Sequence, residues 1–364
     1  MPRARLGFVP VGLALIAACD QQLETKVTQV WAGPLGTCAT TIDGFLWCWG
    51  SNVGDGTTNY HSSPMKPTGN LRNVTSVSIG SDATCAILDQ RLLCWGAAGT
   101  GGDGSTLSGE PAPVPTNQAV LADPVRGVAA GAKLRCVVKI DGSAWCWGQG
   151  SLGLLGNDSE VDSGTPVAVT SMSSGVASIL LGTYALKDDG SVWGWGPVYG
   201  ANLNGGHTTV PIPILRTDLS PLTDVVQIDG GGLWACALTS DGRVLCWGQL
   251  PGSFERMNVD VAVEIDPTDI PAATVEIAVG HDSLCALDAD GVVHCEGRND
   301  HGQLGDNTRD LRFTMAPVQG LPKRATHITS GEFHTCAILE DQTLWCWGAD
   351  IVDRLLPTEV RFGG

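Results

Sequence analysis

The hydrophobic and polar positions along the chain follow the short period of β-strands. Residues 74–79 read Val-Thr-Ser-Val-Ser-Ile, a run rich in β-branched side chains. Residues 136–146 form two hydrophobic arms around Asp141-Gly142, and an Asp-Gly pair in that position is a strong signal for a β-hairpin. Residues 27–364 show no helical periodicity. The pattern predicts an all-β protein.

The strand pattern recurs as seven related units. Six of them share a Gly, four intervening residues, a Cys, an acidic turn and a second Cys, and a seventh copy without cysteines starts at Tyr184 between the third and fifth. Successive copies begin 47 to 52 residues apart, a period typical of propellers and solenoids. Each unit also has a β-branched strand before the hairpin and a proline-bearing strand after it. We therefore predict a seven-bladed β-propeller of four-stranded antiparallel blades over residues 27–364.

Twelve of the 13 cysteines fall into pairs, one pair in each of six units. The pairs are Cys38 with Cys48, Cys85 with Cys94, Cys136 with Cys146, Cys236 with Cys246, Cys285 with Cys295, and Cys336 with Cys346. A spacing of ten places two cysteines opposite each other across a three-residue hairpin loop. The spacing of nine in the second pair fits a two-residue loop at Asp89-Gln90. The fourth unit replaces both cysteines together, with Tyr184 and Gly194, as a covalent bond between the two positions predicts.

We therefore expect six disulfides, which require an oxidising compartment. Metal binding is the alternative, but no C-x-x-C, H-E-x-x-H or Cys/His cluster is present, and we predict no metal site. The fourth blade has no cross-link, so we expect it to be the least protected against hydrogen exchange.

A tryptophan followed by glycine stands beside the second cysteine position in six units. These residues are Trp49, Trp95, Trp147, Trp195, Trp247 and Trp347. They could stack on a ligand, but the pattern favours packing between neighbouring blades. The sixth unit reads His294-Cys295-Glu296-Gly297, with Glu296 in the tryptophan position. Either this repeat is degenerate, or His294 and Glu296 form an atypical site in that blade.

The first 26 residues predict export. Arg3 and Arg5 precede an apolar run over residues 6–18, too short to span a bilayer as a mature helix. Residues 16–19 read Ile-Ala-Ala-Cys and resemble a bacterial lipobox, in which Cys19 is acylated. We predict a signal peptide over residues 1–18, removed on maturation, and a short tether over residues 19–26. The protein would then be anchored in a bacterial cell envelope, at the outer membrane or the outer face of the inner membrane. An ordinary secretory signal is the alternative.

Charge and motif content exclude several classes of function. The chain has 21 Lys and Arg against 38 Asp and Glu, a formal net charge of −17, which opposes binding to nucleic acid. We expect contact with lipid only through Cys19. No G-x-S-x-G, P-loop or dinucleotide fingerprint is present in a strand–helix context, so we predict no catalytic residues and no cofactor. Residues 288–291, Asp-Ala-Asp-Gly, superficially suggest calcium but lie on the repeated hairpin turn.

Three features carry a resemblance to the regulator-of-chromosome-condensation repeat family. They are residues 331–338 (Gly-Glu-Phe-His-Thr-Cys-Ala-Ile), the Trp-Gly dipeptides, and residues 299–305 (Asn-Asp-His-Gly-Gln-Leu-Gly). The resemblance covers residues 27–362 and implies a seven-bladed propeller. Eukaryotic members of the family can act as exchange factors for small GTPases and bind chromatin. Secreted bacterial members act by binding, and some inhibit β-lactamases.

These observations favour a non-enzymatic, monomeric, membrane-anchored scaffold that binds a protein of unknown identity through propeller-face loops. One alternative is an envelope-associated hydrolase or lyase that acts on polysaccharide or peptide. Another is an inhibitor of a secreted enzyme, which differs from the scaffold only in its partner. We expect the ring to close by pairing of Val27–Ala32 with residues 357–360.

Overall fold

The computed structural model describes residues 25–57, 59–96, 112–117, 123–131, 133–180, 182–201, 203, 206–250, 258–265, 270–271, 273–349 and 353–363. The predicted signal peptide, Cys19 and most of the tether lie outside these residues. The described strands form seven four-stranded sheets, each with its strands in sequence order and every pair antiparallel. The predicted seven-bladed propeller is therefore confirmed.

The blades, numbered one to seven along the chain, comprise strands β1 to β28. Blades one and two contain β1–β4 (Val27–Ala32, Gly36–Thr41, Leu46–Gly50, His61–Met65) and β5–β8 (Val74–Ile79, Ala83–Leu88, Arg91–Gly96, Ala112–Asn117). Blades three and four contain β9–β12 (Val125–Ala130, Leu134–Lys139, Ala144–Gly148, Ser163–Ala168) and β13–β16 (Val176–Leu180, Tyr184–Lys187, Val192–Gly196, Thr208–Pro213). Blades five and six contain β17–β20 (Val225–Gly231, Trp234–Thr239, Val244–Gln249, Asn258–Glu264) and β21–β24 (Thr274–Val279, Ser283–Asp288, Val293–Gly297, Arg312–Pro317). Blade seven contains β25–β28 (Ala325–Ser330, His334–Leu339, Leu344–Ala349, Asp353–Glu359).

Helical structure among the described residues is limited to one short 3₁₀ turn, Ser151–Gly153. No helix in the described part of the chain is long and apolar enough to cross a membrane.

The hairpins between second and third strands take the turn types that their lengths require. In blade three the Gly142 N–H donates to the Lys139 carbonyl (3.0 Å), and Gly142 adopts a φ of 80° that suits glycine. In blade two the shorter loop holds Asp89 and Gln90 at φ values of 49° and 62°. The one-residue deletion in that repeat therefore leaves its two cysteines in register, Cys85 opposite Cys94.

The two faces of the ring carry different connections, because alternate turns of an antiparallel meander lie at opposite ends of its strands. One side, which we call the loop face, carries two kinds of connection. They are the turns between the first and second strands of each blade (such as 33–35, 232–233 and 331–333) and the loops between the third and fourth strands (such as 51–60, 149–162 and 298–311). The opposite side, the hairpin face, carries the second-to-third hairpins (such as 42–45, 140–143 and 340–343) and the links between blades.

The hydrophobic core lies between blades rather than within them. Seven clusters of buried side chains occur in the described residues, and each combines residues of adjacent blades. One cluster, for example, joins Trp95 of blade two to Cys38 and Leu46 of blade one. A single blade cannot bury both of its sheet faces alone, so the blades stabilise one another through these contacts.

The predicted pairing of Val27–Ala32 with residues 357–360 at the ring closure is wrong. Val27–Ala32 pairs with Gly36–Thr41 of its own blade, and Asp353–Glu359 pairs with Leu344–Ala349. Each blade is therefore continuous in sequence, because every repeat supplies its own four strands.

Packing and a few hydrogen bonds close the ring between blades seven and one instead. The Val27 N–H donates to the Gln342 carbonyl (2.8 Å), and Thr37 Oγ1 lies 2.7 Å from Nε2 of buried His334. Beyond β28, the ring of Phe362 packs edge-on against Trp47 of blade one, with centroids 5.7 Å apart. The residues after β28 therefore help to hold blade seven against blade one through this packing contact.

Candidate functional site

The innermost strands of neighbouring blades are joined by side chains. The first strand of each blade is its inner strand and borders a central channel. Polar side chains of one inner strand form hydrogen bonds with the backbone of the inner strand in the next blade. Three such residues stand opposite the first cysteine of their blades, at one height around the channel. Their bonds are Ser78 Oγ to Ala130 N–H (2.9 Å), Asp229 Oδ2 to Val279 N–H (2.8 Å) and Thr329 Oγ1 to Ala32 N–H (3.2 Å).

A second row of bridges lies two positions earlier on the inner strands of blades five to seven. Gln227 donates to the Ile277 carbonyl (2.7 Å) and accepts from the same residue's N–H (3.0 Å). Glu276 Oε2 accepts the Ile328 N–H (3.1 Å), and its other oxygen lies 2.6 Å from Nδ1 of His327. Burial opposes the charged form of His327, but the hydrogen bond and the negative charge of Glu276 outweigh it. The pKa of His327 is therefore raised.

Asp229 is an unusual carboxylate in this part of the channel. Burial raises its pKa to about 7, although the N–H groups of Val279 and Gly230 both donate to it and favour its charged form. The negative charge of Glu276 raises this pKa further, whereas His327 lowers it. Asp229 therefore titrates near neutral pH.

Asp229 borders a cavity of about 420 Å³ at the end of the channel on the loop face. Blades one to four line the cavity mostly with apolar groups, which include Trp31, Ile79, Ala130, Ile179 and Leu180. Blades five to seven line it mostly with polar groups, which include Asp229, His281, Thr329, Ser330 and Glu332. The described lining residues include no lysine or arginine. The cavity therefore has an apolar side and an acidic side.

The glycine that precedes each first cysteine by five residues lies at this end of the channel. A Cβ at Gly231 would overlap the carbonyl of Gly280 in the next blade, and a Cβ at Gly331 would overlap that of Gly33. The repeated glycine thus permits close approach of neighbouring backbones around the cavity.

The six tryptophans that precede glycine are buried between blades, as the packing interpretation predicts. Trp95 Nε1 donates to the Asn52 carbonyl of the preceding blade (2.7 Å), and Trp347 Nε1 donates to the Gln303 carbonyl (2.9 Å). These rings fill the core between blades and do not line the channel cavity.

All six predicted disulfides are present, with Cα atoms 4.1 Å apart in every pair. That distance is close to the roughly 4.5 Å that separates directly opposed residues in the narrow type of antiparallel pair. The two cysteines of each unit therefore face each other across the central hairpin of the blade. The bonds join Cys38 to Cys48, Cys85 to Cys94, Cys136 to Cys146, Cys236 to Cys246, Cys285 to Cys295, and Cys336 to Cys346.

The structure does not bring His294 and Glu296 to the cavity. His294 Nε2 lies 3.2 Å from Asp288 Oδ2 of its own hairpin, and Glu296 is buried opposite Leu284 on β22. Asp288 also accepts the N–H groups of Asp290 and Val292, both at 2.9 Å, as a hairpin turn requires. Among the described residues, no group of three or more His, Cys, Asp or Glu side chains could hold a metal ion.

Asp229 and Glu332 are not among the site residues predicted from the sequence. A comparison of the inner strands in register would have found Asp229. The equivalent positions hold Trp31, Ser78, Ala129, Leu180, Asp229, Ala278 and Thr329, with one carboxylate among seven residues.

Comparisons with known proteins agree with the fold. Two family models, both described as the regulator of chromosome condensation (RCC1) repeat, match residues 225–249 and 325–350 in one case and residues 141–184 in the other. The human E3 ubiquitin-protein ligase HERC2 is 28% identical over 351 residues, which cover 88% of this chain but 7% of HERC2.

Solved structures show the same architecture. Human WBSCR16 superposes with a TM-score of 0.73 at 19% identity, covering 87% of both chains. Yeast RCC1 (Prp20), in a crystal structure bound to Kap60, has a TM-score of 0.72 at 18% identity and covers all of this chain and 90% of its own. Such identities show a shared fold alone. Residues 141–184, 225–249 and 325–350 of this chain therefore match the regulator of chromosome condensation (RCC1) repeat, and its seven four-stranded blades share the fold of these solved structures.

Proposed function

We propose that this protein is a lipid-anchored, extracytoplasmic scaffold that binds a protein partner through its loop face and performs no catalysis. The observation that carries the proposal is the opposite placement of Lys26, where the predicted tether joins the ring, and the loop-face cavity.

The tether reaches the ring on the hairpin face. Lys26, the last residue before β1, donates from Nζ to the Asp341 carbonyl in the blade-seven hairpin (2.6 Å). Its own carbonyl accepts the N–H of Ile42 in the blade-one hairpin (2.8 Å). An acyl group on Cys19 would therefore hold the hairpin face toward the membrane and turn the loop face away from it.

The loop face carries exposed apolar side chains suited to protein contact. Leu35 and Leu233 project from first-to-second turns, and Tyr60, Leu152 and Leu311 lie in third-to-fourth loops, all of them exposed. Exposed apolar and aromatic groups around a concave site are typical of protein-binding surfaces.

An aromatic cluster borders the same surface between blades six and seven. The Phe333 ring lies 4.9 Å from the ring of His301 and 6.2 Å from that of His281. His301 Nδ1 lies 3.1 Å from Asp353, which also pairs with Arg309 at 2.6 Å. Side chains held in this way are ordered before a partner arrives, which reduces the entropy lost on binding.

Composition and family support the proposal. Six disulfides fit an oxidising compartment, as does the export signal predicted for residues 1–18. Prp20 binds Kap60 in its crystal structure, a protein partner for the same fold. Neither His294 nor Glu296 lines the cavity, so we assign no hydrolase or lyase activity to that pair. An inhibitor of a secreted enzyme would use the same surface and differ only in its partner.

Capture from envelope extract with matched surface variants tests the proposal. Leu233→Glu on the loop face and Ile140→Glu on the hairpin face change side chains with exposed fractions of 56% and 55%. We expect Leu233→Glu to abolish capture of the partner and Ile140→Glu to retain it, with both proteins equally folded by circular dichroism. Loss of capture with Ile140→Glu alone, or no captured protein above background with the unmodified surface, would overturn the loop-face assignment.

Metabolic labelling with an alkyne fatty acid tests the anchor separately. We expect label on the wild-type protein and none on the Cys19→Ser variant. Equal labelling of both would exclude Cys19 as the acylated residue.

A further inference from the structure

The channel cavity has a chemical character that a general protein-binding face does not require. Its acidic side holds Asp229 and Glu332, and its apolar side includes Trp31 at the same height as Asp229. A ligand that satisfies both sides carries a positive charge on an apolar stem.

The interblade bridge by itself does not explain a carboxylate at residue 229. Ser78 and Thr329 make the same bond to the next blade with a hydroxyl group, and Leu180 occupies the equivalent position in blade four. A neutral acceptor therefore suffices for the bridge. The negative charge of Asp229 calls for a second role.

The carboxylate of Asp229 retains hydrogen-bonding capacity. Oδ1 accepts the Gly230 N–H and Oδ2 accepts the Val279 N–H, both at 2.8 Å. A carboxylate has about four lone-pair sites, so each oxygen can accept one further donor. An ammonium group is compact and has three donors, so it can contact both oxygens without the planar alignment that a guanidinium needs.

Trp31 and the aliphatic side chains opposite Asp229 suit the rest of such a ligand. Methylene groups pack favourably on apolar surface, and an ammonium near an indole face gains a cation–π interaction.

We propose that the channel cavity receives a lysine side chain of the protein partner, with its ammonium group on the Asp229 carboxylate and its stem along Trp31. This inference rests on the proposed function, since the lysine belongs to the protein that docks on the loop face.

Binding of the lysine depends on pH. The charged and titratable groups around Asp229 are Glu276 and His327 on the inner strands of the next two blades, and His281 and Glu332 at the cavity. The pKa of Asp229 is raised to about 7, so its carboxylate is largely protonated at pH 6 and largely ionised at pH 8. Affinity for an ammonium group therefore rises over this interval.

The direct test uses Nα-acetyl-lysine methylamide as the probe, titrated into the whole protein and followed by NMR. Its Nε-acetylated derivative, which has the same stem and no charge, is the control. We expect the derivative to bind at least 10-fold more weakly and the affinity of the lysine probe to rise several-fold from pH 6 to pH 8. Equal binding of the two compounds overturns the inference.

Asp229→Ser is the matched variant, because serine supports the same bridge in blade two. We expect its affinity for the lysine probe to fall at least 10-fold and the pH dependence to disappear, with its melting temperature near that of the wild type. Asp229→Asn serves the same purpose if the serine variant does not fold. Unchanged probe affinity in a folded variant overturns the inference.

Partner capture separates this inference from the scaffold proposal. We expect Asp229→Ser to weaken capture of the partner as well as the probe. If the variant captures its partner as strongly as wild type while Leu233→Glu does not, the scaffold stands and the lysine assignment fails. If neither loop-face change affects capture, the scaffold proposal itself fails.

Discussion

Blades four and five lie side by side and have the same four-stranded meander, but they fill its centre differently. Blade five joins Cys236 to Cys246 by a disulfide. In blade four the same register places Tyr184 opposite Gly194, so a large ring and a residue without a side chain replace the two cysteines. The equivalent of the disulfide in blade four is therefore a packed aromatic side chain.

The contacts of Tyr184 explain why the substitution is paired. Its ring packs edge-on against Trp247 of blade five, with centroids 5.7 Å apart, and its hydroxyl accepts the Tyr199 N–H (3.2 Å). A Cβ at Gly194 would overlap a methyl group of Val198 and crowd the ring of Tyr184. Tyrosine at one position requires glycine at the other.

The two arrangements stabilise the blades by different means. A disulfide that closes an eleven-residue loop restricts the unfolded chain and contributes at most about 3 kcal/mol. The buried tyrosine acts in the folded state, through apolar area and packing. Blade five should therefore respond to reducing agent and blade four to truncation of its side chain.

The largest expected effect is that of complete reduction. Six disulfides at up to about 3 kcal/mol each rival the whole stability of a typical domain, about 5–15 kcal/mol. We expect thiol reductant to lower the melting temperature by well over 10 °C or to unfold the protein at 37 °C. Thermal unfolding followed by circular dichroism measures this.

Hydrogen exchange localises the effect to blades. In the oxidised protein we expect the amides of β14 to exchange faster than those of β18, as the missing cross-link in blade four predicts. Under mild reduction that leaves the ring folded, the difference should shrink, because only blade five loses a cross-link. Slower exchange in β14 than in β18 before reduction would contradict this account.

A smaller effect is expected from truncation in blade four. Tyr184→Ala leaves a cavity beside Trp247 and should lower the free energy of unfolding by about 3–5 kcal/mol, measured by urea denaturation. Tyr184→Phe, the control, loses only the hydroxyl bond and should cost about 1 kcal/mol. A Tyr184→Ala effect no larger than that of Tyr184→Phe would show that the ring contributes little.

The comparison also separates what the sequence could predict from what it could not. The period, the Asp-Gly turns and the joint loss of both cysteines at Tyr184 and Gly194 are local and repeated, so they predicted the seven blades, the hairpins and the six disulfides. The prediction of the ring closure was wrong because closure depends on which end of the chain packs against which blade. Contacts such as that of Phe362 with Trp47 have no repeat to reveal them.

The candidate cavity lay beyond the sequence analysis for a related reason. Asp229 and Trp31 are almost 200 residues apart and meet only because the ring brings all inner strands to one channel. The pKa of Asp229 depends on burial and on Glu276 and His327 of the next two blades. None of this is visible in a single repeat.

The smallest expected effect concerns the second difference between the two blades, Asp229 in blade five against Leu180 in blade four. The pKa of Asp229 is about 7 in the folded protein against an ordinary value of 3.8, so the folded state binds more protons between these values. Its contribution to stability is therefore full below about pH 4 and is lost as the pH rises through 7. We expect Asp229→Ser to reduce the decline in the free energy of unfolding between pH 4 and pH 7 by about 1–3 kcal/mol.

Urea denaturation of both proteins across this interval measures the difference. The raised pKa of His327 adds a decline of its own at the upper end. Because the negative charge of Asp229 contributes to that raised pKa, the difference between the two curves reports Asp229 together with its coupling to His327. Leu180→Ser makes the matching change at a position with nothing to titrate and should leave the pH dependence as in wild type. Parallel curves for Asp229→Ser and wild type would mean that residue 229 ionises like a solvent-exposed aspartate. The two blades would then differ only in how their centres are held together.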